Sequence, residues 1–107
     1  MTIKRWLMAS LAAGICSGAW SVAGAQTPDA LYTRSLAATC ANCHGTDGRS
    51  VAGSSAPPLA GMTRDYISSQ LKAFKAGTRP ATIMHQLSKG YSDAQIEQIA
   101  TYFAQRK

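Results

Sequence analysis

The sequence predicts an all-α fold of three to four short helices. Three segments pair a helix-start signal with apolar residues at helical spacing, and strand-like alternation of apolar and polar residues is absent. The chain has 107 residues, 46% of them apolar and 15% charged, so it is one small domain that is too apolar to be disordered. About half of the chain has the composition of loops. A chain with so few core residues needs a large ligand or a covalent cross-link to stabilise its fold.

Residues 1–25 have the three-part layout of a secretory signal peptide. Lys4 and Arg5 precede an uncharged apolar stretch from Trp6 to Trp20, and Ala23-Gly24-Ala25 follows as a small-x-small cleavage signal. We expect cleavage after Ala25 and export to the periplasm, which leaves residues 26–107 as the mature domain without an integral membrane segment. A retained membrane anchor is the alternative, although the apolar stretch is shorter than the roughly 20 residues that a spanning helix needs.

Export changes both the charge and the cysteine count. The precursor has 11 basic and five acidic residues, a formal charge of +6. Loss of Lys4 and Arg5 leaves nine basic against five acidic residues, a formal charge of +4. Cys16 is removed with the leader, so Cys40 and Cys43 remain in a compartment that oxidises thiols.

The three predicted helices each begin at a side chain that can cap a helix. They open at Thr27-Pro28-Asp29, at Thr63 with Asp65 in the first turn, and at the capping box Ser92-Asp93-Ala94-Gln95. Gly77 and Pro80 end the second helix. Expected on their buried faces are Leu31, Leu36 and Ala37 in the first, Ile67, Leu71 and Phe74 in the second, and Ile96, Ile99 and Phe103 in the third. Residues 45–61, rich in Gly, Ser, Ala and Pro, form a loop.

The pentad Cys40-Ala41-Asn42-Cys43-His44 is the attachment motif of c-type haem. Residues three apart share one face of a helical turn, so both thiols can meet the vinyl groups on one edge of a porphyrin. The adjacent His44 is then directed at the iron. We therefore predict one haem c, covalently bound through Cys40 and Cys43, with His44 as an axial ligand. The thioether bonds would also supply the covalent cross-link that this small domain needs.

Three other uses of these cysteines remain open at the level of sequence. A thioredoxin-like redox pair would follow a strand in a βαβ unit, and none is visible. A zinc site needs four ligands, and the mature chain offers only Cys40, Cys43, His44 and His85. A disulfide between cysteines three residues apart closes a small loop and stabilises little.

The second axial position decides what the haem can do. Methionine with histidine is an electron-transfer arrangement, and the candidates are Met62, Met84 and His85. Met84 lies 40 residues after His44, which is enough chain to reach the opposite haem face. We therefore predict His44 and Met84 as the metal ligands. The alternatives are a bis-histidine site that uses His85, and an open site with ligand-binding or peroxidatic activity.

With these residues the chain resembles a class I cytochrome c over residues 28–105. The motif Cys40–Gly45 matches that family's haem motif, and Pro57-Pro58-Leu59-Ala60-Gly61 resembles its proline loop. The resemblance implies a small cytochrome c fold, with three to four short helices wrapped around a covalently attached haem. It also implies that the carbonyl of Pro57 orients His44 and that Leu59 covers the ring.

A narrower resemblance concerns the segment around Met84. Residues 79–84 and 88–93 are similar to the cytochrome subunit of flavocytochrome c sulfide dehydrogenase and to single domains of two-haem bacterial cytochromes c. In these proteins the methionine that matches Met84 is the sixth ligand. The resemblance implies a periplasmic carrier of single electrons that is not an enzyme by itself. A further role that it implies is that of the subunit that accepts electrons from a sulfide-oxidising flavoprotein.

The mature charge bears on partners. A mildly positive surface can steer encounters with acidic redox proteins, among them a flavoprotein subunit, and the candidates are Lys72, Lys75, Arg79 and Lys89. The basic residues form no dense run, so we expect no nucleic-acid partner.

Overall fold

The computed structural model describes residues 24–107, and within this range the chain forms helices and no strand. The elements are α1 (Pro28–Ala38), α2 (Ala41–His44), a 3-10 turn (Thr46–Gly48), α3 (Arg64–Ala76), α4 (Met84–Lys89) and α5 (Asp93–Ala104). The all-α prediction is confirmed. Nearly all of the predicted leader, residues 1–23, lies outside the described residues, and its cleavage stays a prediction.

The long helices α1, α3 and α5 begin at the predicted caps. The Thr27 hydroxyl accepts a hydrogen bond from the backbone N–H of Ala30, and the Thr63 hydroxyl accepts one from Tyr66. Ser92 and Gln95 form both bonds of a capping box. These bonds satisfy N–H groups that a helix leaves without partners in its first turn.

The core lies where α5 packs against α1 and α3. Ile96, Ile99, Ala100 and Phe103 of α5 are almost completely buried. They meet Ala37 of α1 together with Ile67 and Leu71 of α3. One face of each long helix is therefore apolar and covered, as the spacing predicted.

Two residues that were predicted to be in the core lie outside it: Phe74 is half-buried, and Leu31 is exposed. Leu31 is 50% exposed, whereas Ala37 is buried and Leu36 is partly buried. Because successive helical residues turn by about 100°, Leu31 points roughly 120° away from Ala37. Only the C-terminal half of α1 packs on the core.

Two short helices position the functional residues. The four-residue α2 carries the second half of the Cys40–His44 motif, and the six-residue α4 begins at Met84. α4 packs on α3, while α2 follows directly on α1. No helix within residues 24–107 combines the length and apolar character that crossing a bilayer would require.

Candidate haem-binding site

An apolar cavity with two adjoining lobes lies between α2, α3 and α4. Each lobe has a volume of about 320 Å³, within the range of ligand pockets. The residues that line both lobes are Cys40, His44, Pro57, Leu71, Met84 and Ile99. Leu59 and Met62 line the first lobe, and Cys43 lines the second. The fold thus brings all the predicted site residues to one cavity.

The two cysteines lie on one tight turn. The backbone N–H groups of Cys43 and His44 both donate to the carbonyl of Cys40, at 3.3 and 3.0 Å. Burial raises the pKa of the Cys40 thiol, so it holds its proton more firmly than a solvated thiol. A zinc site would need thiolates and further ligands. Within residues 24–107 no group of three or more His, Cys, Asp or Glu side chains is arranged to hold a metal ion.

His44 is held through one of its ring nitrogens. The side chain is buried, and Nδ1 lies 2.7 Å from the carbonyl oxygen of Pro57. Because a carbonyl only accepts, Nδ1 must carry the hydrogen and donate. The other nitrogen, Nε2, then has a free lone pair and can bind a metal.

The loop that supplies this carbonyl is tied to the 3-10 turn. The carbonyl of Gly48 accepts hydrogen bonds from the backbone N–H groups of Leu59 and Ala60, at 2.8 and 3.1 Å. Gly48 has φ +75°, and a Cβ there would lie 2.8 Å from Phe103 Cδ1. Only glycine allows the chain to pass this close to α5. The core therefore fixes the position of the Pro57 loop.

Met84 is the first residue of α4 and is half-buried. It lines both lobes, whereas Met62 lines only the first. His85 lines neither lobe, and its buried Nδ1 has no hydrogen-bond partner in the described part of the chain. Of the three candidates for a second axial ligand, Met84 is the one that shares both lobes with His44.

Sequence reasoning missed the contribution of α3 to this cavity. Tyr66 and Gln70 line the first lobe, and Phe74 lines it too, although the spacing predicted that it joins Ile67 and Leu71 in the buried core. Tyr66, Gln70 and Phe74 recur every four residues, so they form a second face of the helix beside the Ile67–Leu71 core stripe.

It also missed a hydroxyl pair beside Cys40. Thr39 Oγ1 donates to the carbonyl of Leu36 at 2.7 Å, so it must accept from the Tyr91 hydroxyl at 2.6 Å. This bond joins the residue before Cys40 to the segment after α4. Nothing local in the sequence indicates a contact between residues 52 positions apart.

The predicted steering cations differ in their surroundings. Lys72 bonds to Glu97 at 2.6 Å and Lys75 to Asp93 at 2.8 Å. Arg79 lines the first lobe of the cavity. Lys89 is exposed and makes no ion pair with the residues described. The positive charge of α3 is thus largely compensated, whereas Arg34 of α1, Arg79 and Lys89 form no ion pair with the residues described.

Residues 31–107 match the cytochrome c family, and the chain belongs to that family. It is 44% identical over 68 residues to the cytochrome subunit of sulfide dehydrogenase from Chlorobaculum tepidum, an alignment that covers 64% of this chain and 60% of that protein. It is 41% identical over 68 residues to a thiosulfate dehydrogenase electron acceptor from Stutzerimonas stutzeri, covering 61% of this chain and 31% of that protein. The chain therefore spans less than two thirds of these relatives.

A solved structure supports the same relationship. Cytochrome c4 from Acidithiobacillus ferrooxidans superimposes with a TM-score of 0.63 at 31% identity. The match covers 77% of this chain and 52% of that one. The fold is therefore that of a cytochrome c domain.

The residues around the cavity fit the haem c of this family, which is attached covalently through Cys40 and Cys43. The cavity lining is mainly apolar, as the face of a porphyrin requires. One helical turn carries both thiols, an imidazole offers Nε2, and a thioether lies on the same cavity. These are the donor types that attach and ligate haem iron.

Proposed function

We propose that this chain carries single electrons through one haem c ligated by His44 and Met84. The observation that carries the proposal is the meeting of Cys40, His44 and Met84 on one cavity, with His44 Nδ1 already bonded to Pro57. Two protein ligands leave no position on the iron for a substrate, which suits electron transfer. Residues 26–107 would form the mature domain in the periplasm.

The residues of the chain set the properties of the site. The haem, when bound, supplies the one-electron couple between Fe(III) and Fe(II). Pro57 holds the His44 ring in one tautomer and orientation through the 2.7 Å bond. Met84 contributes a soft thioether that favours Fe(II) and raises the reduction potential. Leu59, Leu71 and Ile99 surround the site with apolar groups, which disfavour the extra charge of Fe(III).

We propose a dehydrogenase as the electron donor. Two relatives carry names that state this relationship: the cytochrome subunit of a sulfide dehydrogenase and the electron acceptor of a thiosulfate dehydrogenase. The resemblance around Met84 favours a sulfide-oxidising flavoprotein. The net positive charge of the mature chain, with Arg79 and Lys89 free of acidic partners among the described residues, suits an acidic docking face.

Replacement of Met84 tests the ligation. In Met84→Ala we expect a lower reduction potential and a coordination position that binds carbon monoxide under native conditions. Met62→Ala is the matched control, because Met62 is also half-buried and lines the same lobe. It should keep the wild-type spectrum and nearly the wild-type potential. A Met84→Ala protein with the wild-type spectrum and potential would show that Met84 is not the ligand.

The wild-type protein itself separates the carrier from an open-site haem protein. A carrier has a low-spin spectrum that carbon monoxide does not change. A high-spin spectrum that shifts with carbon monoxide would overturn the proposal.

Cell fractionation and pull-down test location and partner. We expect the haem-loaded protein in the periplasmic fraction, with a mass that begins at Gln26. A tagged copy should co-purify with a flavoprotein that reduces its haem when sulfide is added. Cytoplasmic retention of the intact precursor would contradict the proposed location. If no co-purified flavoprotein reduces the haem, the proposed donor is contradicted.

A further inference from the structure

A single polar contact attaches the segment that carries Met84 to the rest of the described chain. This segment, residues 80–91, consists of α4 and the residues that flank it. Its backbone hydrogen bonds all stay within the segment, and it forms no ion pair with the residues described. Within residues 24–107, its only side-chain hydrogen bond is the 2.6 Å bond between the hydroxyls of Tyr91 and Thr39.

Packing alone holds α4 weakly. The helix has six residues, and its N-cap residue Ile83 makes no side-chain capping bond. Ser88 is its only buried residue, while the side chains of Ile83 and Leu87 are about half exposed. Short helices are marginal without tertiary support, and segments with few buried side chains open before the core does. The bond to Thr39 is therefore a large part of what fixes α4.

The other end of this bond is firmly anchored. Thr39 Oγ1 accepts from Tyr91 and donates to the carbonyl of Leu36 at 2.7 Å. Ala37, between them, is 3% exposed and belongs to the core. Thr39 also directly precedes Cys40, the first attachment residue. The bond thus joins the Met84 segment to the part of α1 that the core and the thioether hold in place.

We propose that Tyr91 is a positioning residue for Met84, because its bond to Thr39 keeps α4 closed over the cavity. This inference rests on the proposed ligation by Met84. Met84 begins α4, Gly90 caps it and Tyr91 follows directly. An outward swing of this short helix that removes Met84 from the cavity also pulls Tyr91 away from Thr39. The bond is present only in the closed form, so it shifts the equilibrium towards that form.

Binding of imidazole to the oxidised, haem-loaded full chain measures this opening. Imidazole takes the position of Met84 only while α4 is open, so at low imidazole concentration its association rate follows the population of the open form. A neutral hydrogen bond changes such an equilibrium about fivefold. Tyr91→Phe and Thr39→Val should each raise the association rate by about this factor, and their double variant should be no faster.

Two control variants separate this role from general stability. Thr39→Ser keeps the hydroxyl and should bind imidazole within about twofold of the wild-type rate. Tyr32→Phe removes a comparable bond, since the Tyr32 hydroxyl accepts from Gln95 Nε2 at 2.7 Å. Tyr32 lines neither lobe and lies outside residues 80–91. Its loss should lower the urea midpoint but change the association rate by less than about twofold.

Amide hydrogen exchange gives a readout that does not depend on a ligand of the iron. The backbone N–H groups of Leu87 and Tyr91 donate to the carbonyls of Ile83 and Ser88, so they exchange when α4 opens. In Tyr91→Phe we expect both to exchange about fivefold faster, while the amide of Ile99 in the core helix α5 keeps its wild-type protection.

The outcomes distinguish this inference from the proposed function. Wild-type association and exchange rates in Tyr91→Phe would overturn the inference and leave the ligation by Met84 standing. Equal acceleration in Tyr32→Phe would show a general loss of stability and would also overturn it. If wild type and Met84→Ala bind imidazole equally fast, the proposed ligation is overturned. If Tyr91→Phe loads haem poorly, Thr39→Val against Thr39→Ser decides the question.

Discussion

The two sides of α5 and α3 illustrate different uses of the same helices. Where α5 meets α1, the side chains of Ile96, Ala100 and Phe103 are almost completely covered by protein. On the side that faces α2 and α4, Met62 and Met84 pack against the core but are only partly buried. The first side holds the chain together, and the second arranges chemically distinct groups around a cavity.

The difference teaches where to look for each kind of effect. Changes on the covered side should alter the free energy of unfolding and leave the haem spectrum unchanged in the folded fraction. Changes on the cavity side should alter the spectrum or potential more than stability. Ile99 and Leu71 belong to both sides, so α5 and α3 connect the two.

The largest loss of stability should come from Phe103→Ala. Phe103 is 1% exposed, and removal of a buried phenylalanine costs about 3–5 kcal/mol. Urea unfolding of the haem-loaded protein measures the change. Phe74→Ala, at a half-buried cavity position, is the control and should lose less stability while changing the haem spectrum. Equal losses from the two variants would contradict the division into two sides.

The second-largest loss of stability should come from Gly48→Ala. A Cβ at Gly48 would lie 2.9 Å from Ala60 N and 2.9 Å from Leu59 Cβ, at a backbone with φ +75°. Strain and overpacking together should cost about 2–4 kcal/mol. Gly53→Ala has a similar φ of +81° with nothing within 4 Å, so it isolates the backbone part, about 1 kcal/mol. Urea midpoints that coincide for the two variants would show that the contact with α5 is unimportant.

Tyr91→Phe should cause a smaller loss of stability. Tyr91 lies at the border between the covered side and the cavity side. It removes the donor of the 2.6 Å bond to Thr39 and should cost about 1 kcal/mol. Thr39→Val and the double variant complete a cycle. The loss in the double variant should be smaller than the two single losses combined, because both changes break the same bond. Additive losses would show that the two hydroxyls act independently.

The smallest effect concerns acid stability. Hydrogen bonds from Lys72 and Ser68, together with the charge of Arg64, lower the pKa of Glu97 from 4.5 to about 2. A carboxylate with a lowered pKa in the folded state stabilises the protein above pH 4.5, and this contribution is lost as the pH falls towards 2. Glu97→Gln should therefore flatten the fall in urea midpoint over this window. Asp65→Asn, whose partner Arg64 lies 3.5 Å away on the surface, should leave that fall as in the wild type.

Local signals accounted for much of the fold. The caps at Thr27, Thr63 and Ser92 each act within three residues, so a sequence window contains all the partners. The pentad Cys40–His44 is equally local. The Leu31 prediction failed because apolarity was considered without its angle around the helix.

Other parts of the site depend on contacts that no sequence window contains. The Tyr91–Thr39 bond and the position of Arg79 on the cavity arise when α4 packs on α3 and the chain returns past α1. The surroundings of Lys72 likewise depend on Glu97, which is on another helix. Charge and residue type are visible in sequence, but their compensation is a tertiary property.

The bond between His44 and residue 57 is made to a backbone carbonyl, and every amino acid has one. A point mutation at this codon can change the side chain, yet the acceptor stays in the chain. His44 therefore keeps its hydrogen-bond acceptor when a point mutation substitutes residue 57. To break the bond, a mutation must move the loop, for example through the crowded glycine at position 48.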